Sequence, residues 1–265
     1  MLRDPVVAGM FYEKDAHALR SNLKKLLINK GKKLKAKGII VPHAGYVYSG
    51  GVAGEVFSSV EIPDTIILMG PNHTGAGAAV SVMNEGVWRT PLGDAKINGP
   101  LADEIINNSD YASPDTAAHL QEHSLEVQLP FIQALKKSFT FVPIIFGTAD
   151  LKALRETACA IRETMRDKDI LLVSSTDMTH YESAEQAEKK DKMVLDAVKE
   201  LDPGKMAGVV EKYGISMCGW MPTYVLLHAC KLLGAKKAEI INYTNSGETS
   251  GDFNRVVGYG GAAII

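Results

Sequence analysis

Apolar positions along the chain follow two alternating patterns. From Asp15 onward, Ala18, Leu19, Leu23, Leu26 and Leu27 recur at helical spacing, which predicts an amphipathic helix. Short, largely apolar, strand-like runs then return at 39–41, 65–69, 78–83, 139–146, 170–175, 238–243 and 256–265. Runs of that length, bounded by glycine, proline or polar residues, read as buried strands. Between them a helical period predicts helices over 52–60, 101–107, 151–165, 184–201, 206–213 and 223–233. One more apolar stripe, Leu125, Leu129, Ile132 and Leu135, starts at Ser124, and Pro130 inside it predicts a kink or break. Residues 4–11 read as a short extended arm and 85–98 as loop.

Strands alternating with helices argue for an α/β layered fold with helices on both faces of one sheet. No break in composition marks a linker and no repeat appears, so residues 1–265 read as one domain. At 265 residues, 46% hydrophobic and 23% charged, the chain can bury a sizeable core. Its net charge is −2, and the one basic cluster, 24–37, has no interleaved aromatic residues, so it reads as a solvated face rather than a nucleic-acid contact. No apolar run is long enough to span a membrane, and residues 1–5 carry no apolar leader segment. The three cysteines, Cys159, Cys218 and Cys230, form neither a disulfide framework nor a CxxC zinc pair. The expectation is a reduced, cytoplasmic protein.

The chemistry gathers where strands end. His43, His73 and His180 each follow a strand-like run. In open α/β sheets the crevice beyond the carboxyl ends of the strands is where ligands bind. Imidazoles converging there would suit zinc, copper or iron. Asp177, three residues before His180, reads either as a ligand or as a group that orients an imidazole. Cys218 lies in a glycine-containing loop ahead of a helix, as a thiolate ligand or as a small buried residue. Cys159 and Cys230 lie in helical apolar stripes and read as buried.

His119-Leu120-Gln121-Glu122-His123 matches the inverted zincin pattern, but Ser113-Pro114-Asp115 just upstream leaves little room for the helical turn that pattern needs. His123 and Glu126, three apart at the start of a helix, project from one face and suggest an acid–base pair. Neither the dinucleotide fingerprint nor a Walker A lysine is present. The polar segment 245–252 reads as an anion cradle or as a hairpin-like connection between two strands.

Taken together, Val41-Pro42-His43-Ala44-Gly45-Tyr46, Pro71-Asn72-His73, Glu122-His123-Ser124-Leu125-Glu126, Ser174-Ser175-Thr176-Asp177 with His180, Cys218-Gly219, Asn245-Ser246-Gly247 and Ser250-Gly251-Asp252 resemble the Memo family nearly end to end. The resemblance implies a three-layer α/β domain with a central mixed sheet, similar to the class III extradiol dioxygenases, which are non-haem iron enzymes. It implies His43, His73 and Cys218 as metal ligands, with His123, His180 and Asp177 lining the same pocket as catalytic groups. Cys218 stands where those enzymes use a carboxylate, and a thiolate favours copper or zinc more than a carboxylate does. The expected function is a metal-dependent redox protein, with iron or copper foremost and zinc in reserve, acting on a small-molecule or peptide ligand in the pocket. The alternative is a non-enzymatic protein that reuses the fold to bind a peptide or partner. The oligomeric state stays open.

Overall fold

In chain order the elements are β1 (Leu2–Arg3), α1 (Ala16–Leu26), β2 (Gly38–Val41), α2 (Tyr46–Ser59), β3 (Thr65–Pro71), β4 (Val80–Val82), β5 (Val87–Thr90), β6 (Gly93–Ile97), α3 (Gly99–Asn107), β7 (Ala112–Pro114), α4 (Leu129–Leu135), β8 (Thr140–Phe146), α5 (Leu151–Met165), β9 (Ile170–Ser175), β10 (His180–Glu182), α6 (Ala184–Lys199), α7 (Pro203–Tyr213), α8 (Trp220–Leu232), β11 (Ala238–Asn245), α9 (Gly247–Ser250) and β12 (Val256–Ile264). Short 3₁₀ turns cover Ala117–His119 and Glu126–Gln128. The computed structural model describes residues 1–28, 31 and 33–265. Lys30 and Lys32 of the expected basic cluster therefore lie outside the described residues.

The strands form a mixed sheet whose centre runs β6-β8-β3-β9-β2-β12. From β6 to β2 each strand is parallel to the next, while β12 pairs antiparallel with both β2 and β11. Alternation along the central strands sends side chains to two cores. Ile39, Val41, Leu171 and Val173 pack with Leu19 and Leu23 of α1, Phe57 of α2 and Phe131 of α4. Ile40, Ile170 and Leu172 face the other way, onto Leu154 of α5, Val194 of α6 and Leu226 of α8. The three-layer α/β arrangement is as expected, with a central mixed sheet and helices on both faces.

Three local differences have physical causes. Helix α2 starts at Tyr46, six residues before its expected start, and runs through Gly50 and Gly51. Gly50 and Gly51 fall before the helix expected over 52–60, but Gly50, like Gly54 within it, is a packing residue. A Cβ on Gly54 would lie 2.3 Å from the Leu26 carbonyl oxygen, and one on Gly50 2.9 Å from the Leu26 side chain. Residues 85–98 are not loop, because β5 and β6 pair antiparallel through Trp88↔Ala95 with Arg89 and Asp94 turned outward. Each strand buries only two side chains, too few for a sequence period to register. The arm 4–11 is not extended throughout: β1 lies parallel to β5, and the chain then turns so that Ala8 bridges Tyr12. The 3₁₀ turn ends at Gln128 and α4 opens at Leu129 with Pro130 in its first turn, so the expected break is there. Cys230 is buried, but Cys159 is exposed on α5, contrary to the apolar-stripe reading. Among the described residues, no helix is long and apolar enough to cross a membrane.

Candidate functional site

Strands β2, β9 and β3 are neighbours, and Val41 pairs with Ser175 while Met69 pairs with Ser174. Their carboxyl ends are therefore level, and the residues just beyond them, His43, Asp177 and His73, come out on one rim. Gly70 makes room for a fourth contributor. A Cβ there would lie 2.6 Å from Ser124 Oγ and 2.7 Å from Leu125, so its absence lets segment 122–126 lie over the end of β3.

His43 is buried and tied at both ring nitrogens. Its Nδ1 is 3.1 Å from Ser175 Oγ, and its Nε2 is 3.2 Å from Cys218 Sγ. Ser175 donates its single hydroxyl proton to the Ser124 carbonyl at 2.6 Å and accepts from Gln128 Nε2 at 2.8 Å. With that proton committed, His43 Nδ1–H must be the donor to Ser175, which leaves the lone pair on Nε2 facing the sulfur. Asp177 holds the backbone, its Oδ1 accepting the His43 amide at 2.7 Å, and its Oδ2 stands 4.0 Å from His43 Nε2.

Cys218 is delivered by the turn into α8. The Gly219 amide donates to Thr176 Oγ1 at 2.9 Å, and Thr223 Oγ1 donates to the Gly219 carbonyl at 2.8 Å. A Cβ on Gly219 would sit 2.4 Å from Thr176 Cβ, so only glycine fits beside this cysteine. The Asp177 amide donates to Cys218 Sγ at 3.3 Å. Burial, reinforced by His73 and His123, holds His43 well below its ordinary pKa. Burial and the Asp177 carboxylate push the Cys218 thiol up. Burial also raises Asp177, to about 6, against the pull of the His43 amide.

The opposite wall is built on Glu122. This fully buried carboxylate accepts the His73 amide at 2.6 Å on Oε2, and His73 Nδ1 at 2.9 Å and the Ser124 amide at 2.9 Å on Oε1. Burial alone would raise Glu122, but His73 and the amides outweigh it and hold it down to about 2. An anion only accepts, so His73 Nδ1 carries a proton, and in the neutral ring the lone pair is on Nε2. Burial works against a charged His73, but Glu122 outweighs it and raises the pKa. His123 stacks on His73 with centroids 4.8 Å apart, meets His43 edge-on at 5.6 Å and Phe11 at 4.9 Å. Its Nδ1 is 3.5 Å from Glu122 Oε1.

Two three-donor groups thus have all their ligand atoms within 4.8 Å of one another: His43, His73 and Cys218, and His73, Glu122 and His123. The first is the expected ligand set. Asp177 and His180 belong to neither. Asp177 is the buried backbone anchor of His43, while His180, whose amide donates to Ser216 Oγ at 2.8 Å, lies within electrostatic range of His43 and Asp177.

The expected His123–Glu126 pair does not form. Glu126 instead takes Arg3 Nη1 at 2.8 Å, the Val6 and Val7 amides and the Tyr12 hydroxyl, all from the N-terminal arm. The H-x-x-E-H pattern is no helix either: a 3₁₀ turn ends at His119, which is buried 6.0 Å from the Trp88 ring. Ser175 and Glu122 are the partners that sequence reasoning did not assign to the site. Their only local signals were a serine at a strand end and an acid beside His123.

The profile of the Memo-like protein family matches residues 3–263. A MEMO1 family protein from Aquifex aeolicus is 42% identical over 266 residues, covering 100% of this chain and 99% of that one. A MEMO1 family protein from Methanopyrus kandleri is 40% identical over 282 residues, covering 100% and 99%. Among solved structures, an uncharacterized Escherichia coli K12 protein superposes with a TM-score of 0.56 at 13% identity, covering 84% of this chain and 98% of that one, a likeness of fold alone.

Proposed function

The chain belongs to the Memo-like protein family, and from that premise we propose that it holds one transition-metal ion, iron or copper, on His43, His73 and Cys218 for redox chemistry on a small molecule. The observation that carries this reading is the convergence of three donors from β2, β3 and the turn before α8, all within 4.8 Å. Both imidazoles already have Nδ1 committed, to Ser175 and to Glu122, and so are oriented as outer-shell partners orient metal ligands.

The donor chemistry fits an ion of intermediate softness, since two imidazoles and a thiolate suit copper, zinc and iron. Metal–ligand bonds of about 2.0–2.3 Å place donors about 3.3–3.8 Å apart, so the set needs only a small contraction to close. The raised thiol gives up its proton when a cation binds. When bound, the ion would supply a redox couple and a Lewis acid.

The surrounding residues handle protons. His123 presents a part-exposed ring beside the donors, ready to accept a proton from a ligand. Asp177, raised to about 6, holds the His43 backbone on Oδ1 and can carry a proton on Oδ2. His73 stands 34% exposed in its side chain, against 3% for His43, so a ligand would approach from the His73 and His123 side.

Metal analysis of anaerobically purified protein is the test. Wild type is expected to carry close to one ion per chain, and a His43→Ala/His73→Ala variant almost none. Equal content in the two would overturn the reading and leave the partner-binding alternative.

A further inference from the structure

His73 belongs to both donor groups, and the second differs from the first in kind. His73, Glu122 and His123 offer two imidazoles and a carboxylate, with no sulfur. Glu122 Oε1 lies 2.9 Å from His73 Nδ1 and 3.5 Å from His123 Nδ1, close to the donor separation of about 3.4 Å that metal–nitrogen and metal–oxygen bonds produce. Among the described residues, neither ring nitrogen of His123 has a hydrogen-bond partner, although the ring is three-quarters buried and Nδ1 is directed at the carboxylate. This donor set is also the more open one, His73 and His123 being 34% and 24% exposed in their side chains.

We propose that His73, Glu122 and His123 form a second metal position, selective for harder divalent ions such as Fe²⁺, Mn²⁺ or Co²⁺, and that it and the thiolate position are alternatives because they share His73. The proposal extends the metal reading given above. A neutral imidazole has one lone pair. With its proton on Nδ1, shared with Glu122, His73 offers Nε2 to His43 and Cys218. With the proton on Nε2 it offers Nδ1, and a cation takes the place of the proton in the Glu122 hydrogen bond. No electron moves in this exchange. The His73 tautomer thus selects between a sulfur-containing site and a two-histidine, one-carboxylate site, a donor type that holds non-haem Fe²⁺ with open positions.

Cobalt(II) separates the two positions, because a bound thiolate gives an intense charge-transfer absorption and a nitrogen–oxygen set does not. Wild type titrated anaerobically with Co²⁺ alone is expected to bind one ion per chain in total. A His43→Ala/Cys218→Ser variant is expected to bind one Co²⁺ without the thiolate band. Adding His123→Ala to that variant should weaken Co²⁺ by at least about tenfold. Melting curves of the metal-free variants establish that they fold.

A folded His43→Ala/Cys218→Ser protein that binds no Co²⁺, or no loss on adding His123→Ala, would overturn the second position. Two Co²⁺ ions in wild type would overturn the exclusion. If wild type binds Co²⁺ with no thiolate band while the double variant binds normally, the ion occupies the second position and this reading stands; the earlier thiolate reading fails separately, if the His43→Ala/Cys218→Ser variant is purified with the wild-type content of iron or copper.

Discussion

His43 and His73 stand 5.2 Å apart, ring centre to ring centre, each with Nδ1 tied to a partner, yet the two walls they anchor are built differently. His43 is buried on a strand end and backed by a hydroxyl network through Ser175, Ser124 and Gln128. His73 is a third exposed and backed by a buried carboxylate. Burial lowers the first ring, and Glu122 overcomes burial to raise the second. A hydroxyl partner fixes a tautomer without adding charge, whereas a carboxylate also makes its ring more basic. The strand wall is set by the sheet register, while the segment carrying Glu122 and His123 has no register of its own and is held by charge from the N-terminal arm.

That hold is where the comparison breaks most easily. Arg3 is buried, with Nε on the His119 carbonyl at 2.7 Å, Nη2 on the Glu122 carbonyl at 2.7 Å, Nη1 on Glu126 at 2.8 Å, and its guanidinium 4.0 Å from the Trp88 ring centre. Arg3→Ala leaves Glu126 buried without its cation, and loss of one partner of such a pair costs about 3–5 kcal/mol. Denaturant unfolding should show that loss. Histidine resonances should show where it falls, with His73 and His123 broadened and His43 unchanged. Uniform broadening would mean that the two walls are one unit.

Acid should strike the same wall. His119 is buried with both ring nitrogens unpartnered, and burial lowers its pKa from 6.5 to about 4. The folded state therefore refuses a proton that the unfolded chain takes up, so stability is complete above pH 6.5 and falls as pH drops toward 4. The shift corresponds to roughly 3 kcal/mol. Glu122, held down from 4.5 to about 2, adds its own loss of stability as pH falls below about 5, where the unfolded carboxylate takes up a proton that the folded one refuses. His119→Leu should flatten the slope, and an unchanged stability–pH curve for this variant would exclude His119 as its source.

The same asymmetry governed what could be read in the sequence. β9 (Ile170–Ser175) and α5 (Leu151–Met165) were legible to the residue, because their burial patterns are local and long. His43 and His73 were legible as residues following strands. Glu126 was misread because its partners lie 114–123 positions away, a distance no local spacing encodes. Glu122 escaped for the same reason: it reaches His73, 49 positions distant, only because Gly70 lets its segment cross the end of β3. Gly50 falls outside the helix expected over 52–60 because a glycine that admits a neighbouring side chain looks, in one sequence, like a glycine that permits a turn.

The smallest expected effect is also the sharpest probe of the two walls. Removing an outer-shell partner of a metal-ligating histidine costs about 10–100-fold in affinity. Glu122→Gln keeps an acceptor near His73 Nδ1 but removes the charge, so its loss should lie toward the upper end. Ser175→Ala removes a neutral partner of His43, and its loss should lie toward the lower end. Titration of the metal-free proteins separates the causes. Glu122 raises His73, so Glu122→Gln should lower the His73 pKa, while Ser175→Ala should leave it in place. Equal shifts of His73 in both variants would show that the hydroxyl network and the carboxylate act on the rings as one system, and the distinction between the walls would then be one of burial alone.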